Sequence, residues 1–279
     1  MSVDRSAAPR MARWHALAAR ACIVVASACM AFDARPDDGS ALAQAAFDRP
    51  AGTDLTTVSR MELRDKGRGA RLRELVGYRL KKGRGESVNL LRFLDPQDIA
   101  GTGLLSLDKA DGANEQWLYL PELDRVRRIG GDRKGGRFVG SDLYYEDLQQ
   151  RLPARDRHRL LGTETIAGVP CEVLESVPVE AADSVYLKRV SWIDRQTLLA
   201  MRIDYFEHDA ATPSKRWELL AKKLIQRHWT VTDSRMTDLG TGHETRLIVD
   251  TAVYDRKLPA KLFTPQALAD ETLESEYRP

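Results

Sequence analysis

The chain has 279 residues, of which 43% are hydrophobic and 30% charged, so it carries enough apolar material for a core and too much for an intrinsically disordered chain. Its 43 Lys and Arg against 41 Asp and Glu leave a formal charge of +2, which excludes a polyelectrolyte field over the whole molecule and gives no reason to expect a nucleic-acid partner. The length suits one large all-β domain, and a single domain is expected.

The first fifty residues differ from the rest. Arg5, Arg10, Arg13 and Arg20 precede an apolar stretch at 21–32, and Ala41-Leu42-Ala43 offers a small-x-small cleavage site. This order describes a secretory signal peptide over 1–43, with a mature domain at 44–279 exported to the periplasm. The apolar stretch is too short for a membrane-spanning helix, which needs about 20 residues. The distance from Phe32 to Ala43 is long and the basic region begins far upstream, which fits translation from Met11. An alternative reading makes Ala26-Ser27-Ala28-Cys29 a degenerate lipobox, with the mature protein anchored to the outer membrane through an acylated Cys29. Cys22 and Cys29 fall in the leader, leaving Cys171 alone in the mature chain without an intramolecular disulfide partner. It is expected to be a small buried hydrophobe in a strand.

From Thr56 to Tyr254 the chain alternates apolar and polar residues in short segments broken by turns, the pattern of an antiparallel meander. Strands are expected at 72–80, 88–94, 117–120, 124–129, 169–177, 185–193, 199–206, 217–224, 229–233 and 246–254. Turn chemistry separates them at Lys82-Gly83-Arg84-Gly85, Ala110-Asp111-Gly112-Ala113, Ile166-Ala167-Gly168 and Thr241-Gly242-His243. About ten strands with few helices point to a sheet rolled into a barrel or half-barrel. Helical signals occur at 40–47, at 140–148, and after Thr264-Pro265, where an N-cap Thr precedes Pro at the first helical position.

Catalytic and metal chemistry find little support. His158, His208, His228 and His243 are scattered without ligand spacing, and no nucleophile elbow, P-loop or dinucleotide loop is present. Asp142, Glu146 and Asp147 cluster, and a hydrolase would use Asp142 and Glu146 as an acid and base pair. Acidic charge at the start of a short helix explains the same residues. No catalytic residue, metal or cofactor is expected.

The segment 117–148 is the most distinctive. Trp117-Leu118-Tyr119-Leu120-Pro121 and Arg125-Val126-Arg127-Arg128-Ile129 lead into a Gly-rich loop ending in Phe138-Val139-Gly140-Ser141-Asp142 and Tyr145-Glu146-Asp147-Leu148. From Arg125 to Arg137 there are six basic residues and one acidic one, a local positive patch beside an apolar tip at Phe138 and Val139. On these motifs, supported by Phe93 to Pro96, Gly101-Thr102 and Phe263-Thr264 ahead of Leu268, the chain resembles the outer-membrane lipoprotein-sorting type proteins of the LolA-like superfamily over roughly residues 51 to 272.

The resemblance implies a mainly β (α+β) fold: a strongly curved antiparallel sheet forming an open half-barrel, covered by short helices. It also implies an apolar cavity for acyl chains, and hence a monomeric, non-enzymatic periplasmic carrier or acceptor of lipid or lipoprotein acyl chains. An accessory subunit of an inner-membrane transporter of the resistance-nodulation-division type is the alternative. Candidates for the cavity mouth or lid are Phe138, Val139, Leu143, Tyr144 and Tyr145. Candidates for headgroup or partner contact are Arg127, Arg128, Arg133, Lys134 and Arg137. On this reading Phe138→Glu weakens lipid transfer and leaves folding intact.

Overall fold

The computed structural model describes residues 36–67 and 69–279. The expectations that fall on the leader, including Met11, Cys22 and Cys29, lie outside the described residues. A helix, α1 (Pro36–Phe47), precedes thirteen strands: β1 (Asp54–Arg64), β2 (Arg71–Gly83), β3 (Glu86–Asp95), β4 (Gly103–Asp108), β5 (Glu115–Leu120), β6 (Arg125–Arg128), β7 (Asp156–Ile166), β8 (Val169–Pro178), β9 (Lys188–Asp194), β10 (Ala200–Phe206), β11 (Lys215–Ile225), β12 (His228–Asp238) and β13 (Glu244–Tyr254). A single-turn helix, α2 (Thr272–Ser275), lies near the C-terminus.

The strands form one antiparallel sheet in the order β6-β5-β4-β3-β2-β1-β13-β12-β11-β10-β9-β8-β7. Successive strands pair as hairpins because the loops between them are short and rich in turn residues. One meander runs outward from β1 to β6, the other returns from β7 to β13, and the pairing of β1 with β13 joins them at the centre. The edges β6 and β7 are not paired with each other, so the strongly curved sheet is an open half-barrel. Residues 129–155 must therefore carry the chain from one edge of the sheet to the other. The expected strands are all present. The three not anticipated, β1, β4 and β7, depart from two-residue spacing: apolar Leu55, Val58 and Met61 lie three apart in β1, and Leu104-Leu105 and Leu160-Leu161 are adjacent in β4 and β7.

Cross-strand register sorts the side chains onto two faces. On one face, Val76, Tyr78, Val88, Leu90 and Leu105 pack against Leu258, Leu262, Phe263 and Leu268 of the C-terminal tail. Fully buried Arg92 fixes the tail there: its Nε lies 3.0 Å from Glu274 Oε1, and it donates to the carbonyls of Gly101 (2.7 Å) and Leu268 (2.9 Å). Gly103 makes room for this pair, since a Cβ there would sit 2.7 Å from Arg92 Nη1. The turn from β13 into the tail is held by buried Asp54, whose carboxylate accepts from the backbone amides of Arg256, Lys257 and Leu258 at 2.8 to 3.1 Å.

The opposite face, here the inner face, is covered by α1 and by the 129–155 connection. On α1, Ala43 is buried against Leu174 and Ile193, with Leu42 and Ala46 beside it. Gly39 lets the helix approach the β7 backbone, where a Cβ would meet Arg159 N at 3.0 Å. The helical signal at 40–47 is thus realised as α1, and the capping Thr264 accepts a bond from Ala267 N (3.0 Å) ahead of a single 3-10 turn. The signal at 140–148 yields two short 3-10 turns, Phe138–Gly140 and Glu146–Leu148. Cys171 is buried in β8, as its sequence context indicated.

Candidate functional site

The 129–155 connection crosses the inner face as a strap, and its motif residues anchor it. Phe138 is fully buried among Met61, Leu63, Leu75, Phe93 and Leu104. Its ring stacks on Phe93 at 5.6 Å and meets the edge of Tyr145 at 6.0 Å. The backbone turns sharply beyond it, with Val139 and Gly140 both at positive φ, and the Val139 carbonyl accepts from Arg73 at 2.6 Å. The expected exposed tip at Phe138 is therefore corrected. An aromatic ring with an apolar hole beneath it loses more by facing water than the loop loses by bending toward the sheet.

The polar residues of the motif are equally committed. Asp142 is buried and accepts from Arg137 (2.9 Å), from Thr245 Oγ1 (2.8 Å) and, across a 2.6 Å contact, pairs with His243 Nδ1. Glu146 accepts from Ser184 Oγ and from Val185 N (2.8 Å). Asp147 accepts from Lys215 Nζ (2.8 Å), Tyr186 Oη (2.8 Å) and Tyr144 N (2.7 Å). These carboxylates fasten the strap to the segment ahead of β9, to β11 and to β13.

Buried Lys215 is the hub of this fastening. Its ammonium also donates to the Asp142 carbonyl (3.1 Å) and lies 3.4 Å from the Tyr144 ring centroid, with Tyr186 and Tyr205 behind. Burial pushes the Lys215 pKa down, and the Asp147 carboxylate opposes that fall. Burial also pushes the Tyr144 phenol up to about 12, helped by Glu207, to which it donates at 3.1 Å. Burial raises the Tyr186 and Tyr205 phenols as well, so all three rings stay neutral around the cation.

The basic candidates do not form one patch. Arg137 is bound to Asp142 and Asp238, and Lys134 donates to the Asp183 carbonyl (3.3 Å). Arg128 is exposed but paired with Glu115 (2.7 Å), while Arg127 and Arg133 face solvent.

The space on the inner face lies beside the strap, where α1 spans the sheet. A cavity of about 440 Å³ has an apolar floor of Leu174, Ile193, Ile203 and Trp217 under a roof of Ala46 and Phe47. A second cavity of about 520 Å³ is polar, lined by Arg79, Lys81, Asn89 and Gln149 among others. Phe47 and Arg49 border both. Each volume falls in the range of small-molecule sites, roughly 300–1,000 Å³. Phe138, Val139, Leu143, Tyr144 and Tyr145 line neither cavity; they hold the strap that walls them. The apolar cavity is lined instead by residues of β7 to β12, of the strap at 151 and 153 and of α1, which overlaps the leader expected at 1–43, and the polar one by residues of β2 to β4 and of the strap at 147–150. The available signals were the apolar alternation of the strands and the small and apolar residues at 41–47.

A family model described as "Uncharacterized protein" matches residues 85–270. No curated protein matches the chain. Among solved structures, a domain from Vibrio parahaemolyticus named for outer-membrane lipoprotein sorting shares 27% identity at a TM-score of 0.79, covering 84% of this chain and all of that one (100%). A DUF1329 family protein from Desulfovibrio piger also shares 27% identity at TM-score 0.79, over 83% of this chain and 98% of that one. A LolA superfamily protein from Nitrosomonas europaea, at 17% identity and TM-score 0.62 over 81% and 97%, shares the fold. With the family-model match over most of its length the chain belongs to the family of that model, and its open thirteen-stranded sheet is LolA-like in fold and similar to the outer-membrane lipoprotein-sorting domain and the DUF1329 protein.

Proposed function

We propose that the protein is a periplasmic carrier or acceptor of lipid or lipoprotein acyl chains, which it holds in the cavity between α1 and the inner face. The observation that carries this reading is the apolar floor of Leu174, Ile193, Ile203 and Trp217 in a space of about 440 Å³ bordered by a helix rather than sealed by strands. Each acyl CH₂ buried there is worth about 0.8 kcal/mol, so a chain of ordinary length offsets much of the cost of leaving a membrane. Such a role needs no catalytic group, and the motif carboxylates are occupied by structural bonds. The name of the Vibrio parahaemolyticus relative points the same way.

Export is part of the proposal, with the protein acting as a monomer. Ala41-Leu42-Ala43 lies inside α1, so cleavage after Ala43 would remove most of the helix that roofs the cavity, whereas a start at Cys29 leaves α1 whole. Intact-mass measurement of the exported protein distinguishes the two.

Native mass spectrometry with lipid extraction, on protein purified from a periplasmic fraction, tests the carrier. Bound phospholipid or acylated peptide is the expected result. An empty protein that retains an inner-membrane transporter of the resistance-nodulation-division type would replace the carrier with an adaptor.

A further inference from the structure

Two arginines stand where the apolar and polar cavities meet. Arg49 follows α1 and borders both cavities; Arg79, on β2, lines the polar one. Both are half-buried. Among the described residues neither has a carboxylate within ion-pair reach. Arg49 donates to the Trp229 carbonyl at 3.4 Å, and Arg79 to the Ala51 carbonyl. Guanidinium carries five N–H donors, so most of this donor capacity is unspent.

Apart from Glu86, an exposed side chain that also lines the polar cavity, the nearby acids are committed elsewhere. Asp54 caps the backbone at 256–258, and Asp255 accepts from Thr53 N and Oγ1, both at 2.7 Å. In the polar cavity, Asp48 pairs with Arg84 (3.2 Å), Asp108 accepts from Ser87 (2.7 Å) and Asn89 (2.9 Å), and Asp147 is held by Lys215 (2.8 Å). Burial lowers the pKa of both arginines, and at Arg79 the charge of Arg49 adds to the effect. Two cations that share a partly desolvated site, opposed at Arg79 only by the Asp54 and Asp255 carboxylates that are hydrogen-bonded elsewhere, carry a cost that a bound anion relieves.

We propose that Arg49 and Arg79 form an anion site for a phosphate-bearing lipid headgroup, whose acyl chain lies in the adjacent apolar cavity. The inference rests on the carrier reading and adds the headgroup class to it. The contiguity of one apolar and one polar space, joined at Phe47 and Arg49, fits an amphiphile that straddles them.

The test measures binding of lauroyl-lysophosphatidylglycerol, uncharged monolauroylglycerol and inorganic phosphate by calorimetry, on wild type and on Arg49→Gln, Arg49→Lys and Arg79→Gln. The lysolipid is expected to bind wild type about tenfold tighter than the uncharged amphiphile, the scale of one charge-assisted hydrogen bond. That advantage, read as the ratio of the two affinities in each variant, should vanish in Arg49→Gln and partly return in Arg49→Lys. Arg49 makes a single long contact, so its variants keep the fold even where Arg79→Gln, which loses its bond to Ala51, does not. Equal affinity for both amphiphiles, indifferent to the substitutions, overturns the anion site and leaves the carrier standing. Binding of neither amphiphile overturns both. Inorganic phosphate binding as tightly as the lysolipid shows a free-anion site and overturns the lipid assignment.

Discussion

Replacing Phe138 separates a core role from a role at an exposed mouth. The ring is fully buried, stacked 5.6 Å from Phe93 and edge-on 6.0 Å from Tyr145. Truncation to Ala removes the apolar contact and leaves a cavity bounded by strands that cannot collapse, for a cost of about 3–5 kcal/mol. The two aromatic contacts account for about 0.5–1.5 kcal/mol each of that total. In urea, with an m-value of about 3 kcal/mol per molar for a domain of this size, the midpoint should fall by about 1–1.7 M at unchanged slope. Phe138→Glu should be worse, because its carboxylate would be buried without a partner. A midpoint shift below about 0.3 M with impaired lipid transfer would refute the reasoning and restore Phe138 to the cavity mouth.

Three further outcomes follow from the packing of the core, the cavity and the sheet surface. Glu274→Gln strands the Arg92 charge in the core and should cost about 3–5 kcal/mol by urea unfolding, whereas the joint Arg92→Met, Glu274→Leu variant strands no charge and should cost less, about 1–3 kcal/mol for the carbonyls of Gly101 and Leu268 that lose their donor. Ile203→Trp, on the cavity floor, should lower the bound-lipid signal several-fold at a stability cost of about 1–3 kcal/mol; undiminished lipid would place the chain elsewhere. Burial works against the charge of Asp204, yet bonds from Arg202 and Arg216 hold its pKa below the usual carboxylate range. A depressed folded pKa stabilises above the unfolded value of about 3.9 and is lost as pH falls through the folded value. Stability should therefore drop below about pH 4, less steeply in Asp204→Asn; equal slopes would count against the pair.

The alternation of apolar and polar residues and the turn dipeptides determined the antiparallel meander, because both signals are local to a strand and its hairpin. The motif from Trp117 to Leu148 also marked the family. That it is a strap, with Phe138 as its plug and Asp142, Glu146 and Asp147 as its fastenings, depends on Phe93, Thr245, Ser184 and Lys215, partners that lie far away in the chain. The pairing of β1 with β13 joins the two meanders that supply these partners. The cavity was decided entirely by tertiary structure. Its floor draws single residues from β8 to β11 and its roof comes from α1, so no contiguous stretch of sequence carries its signature. Whether Arg49 and Arg79 are paired was equally hidden, because the acids near them are satisfied by backbone amides and side chains that only the folded sheet delivers.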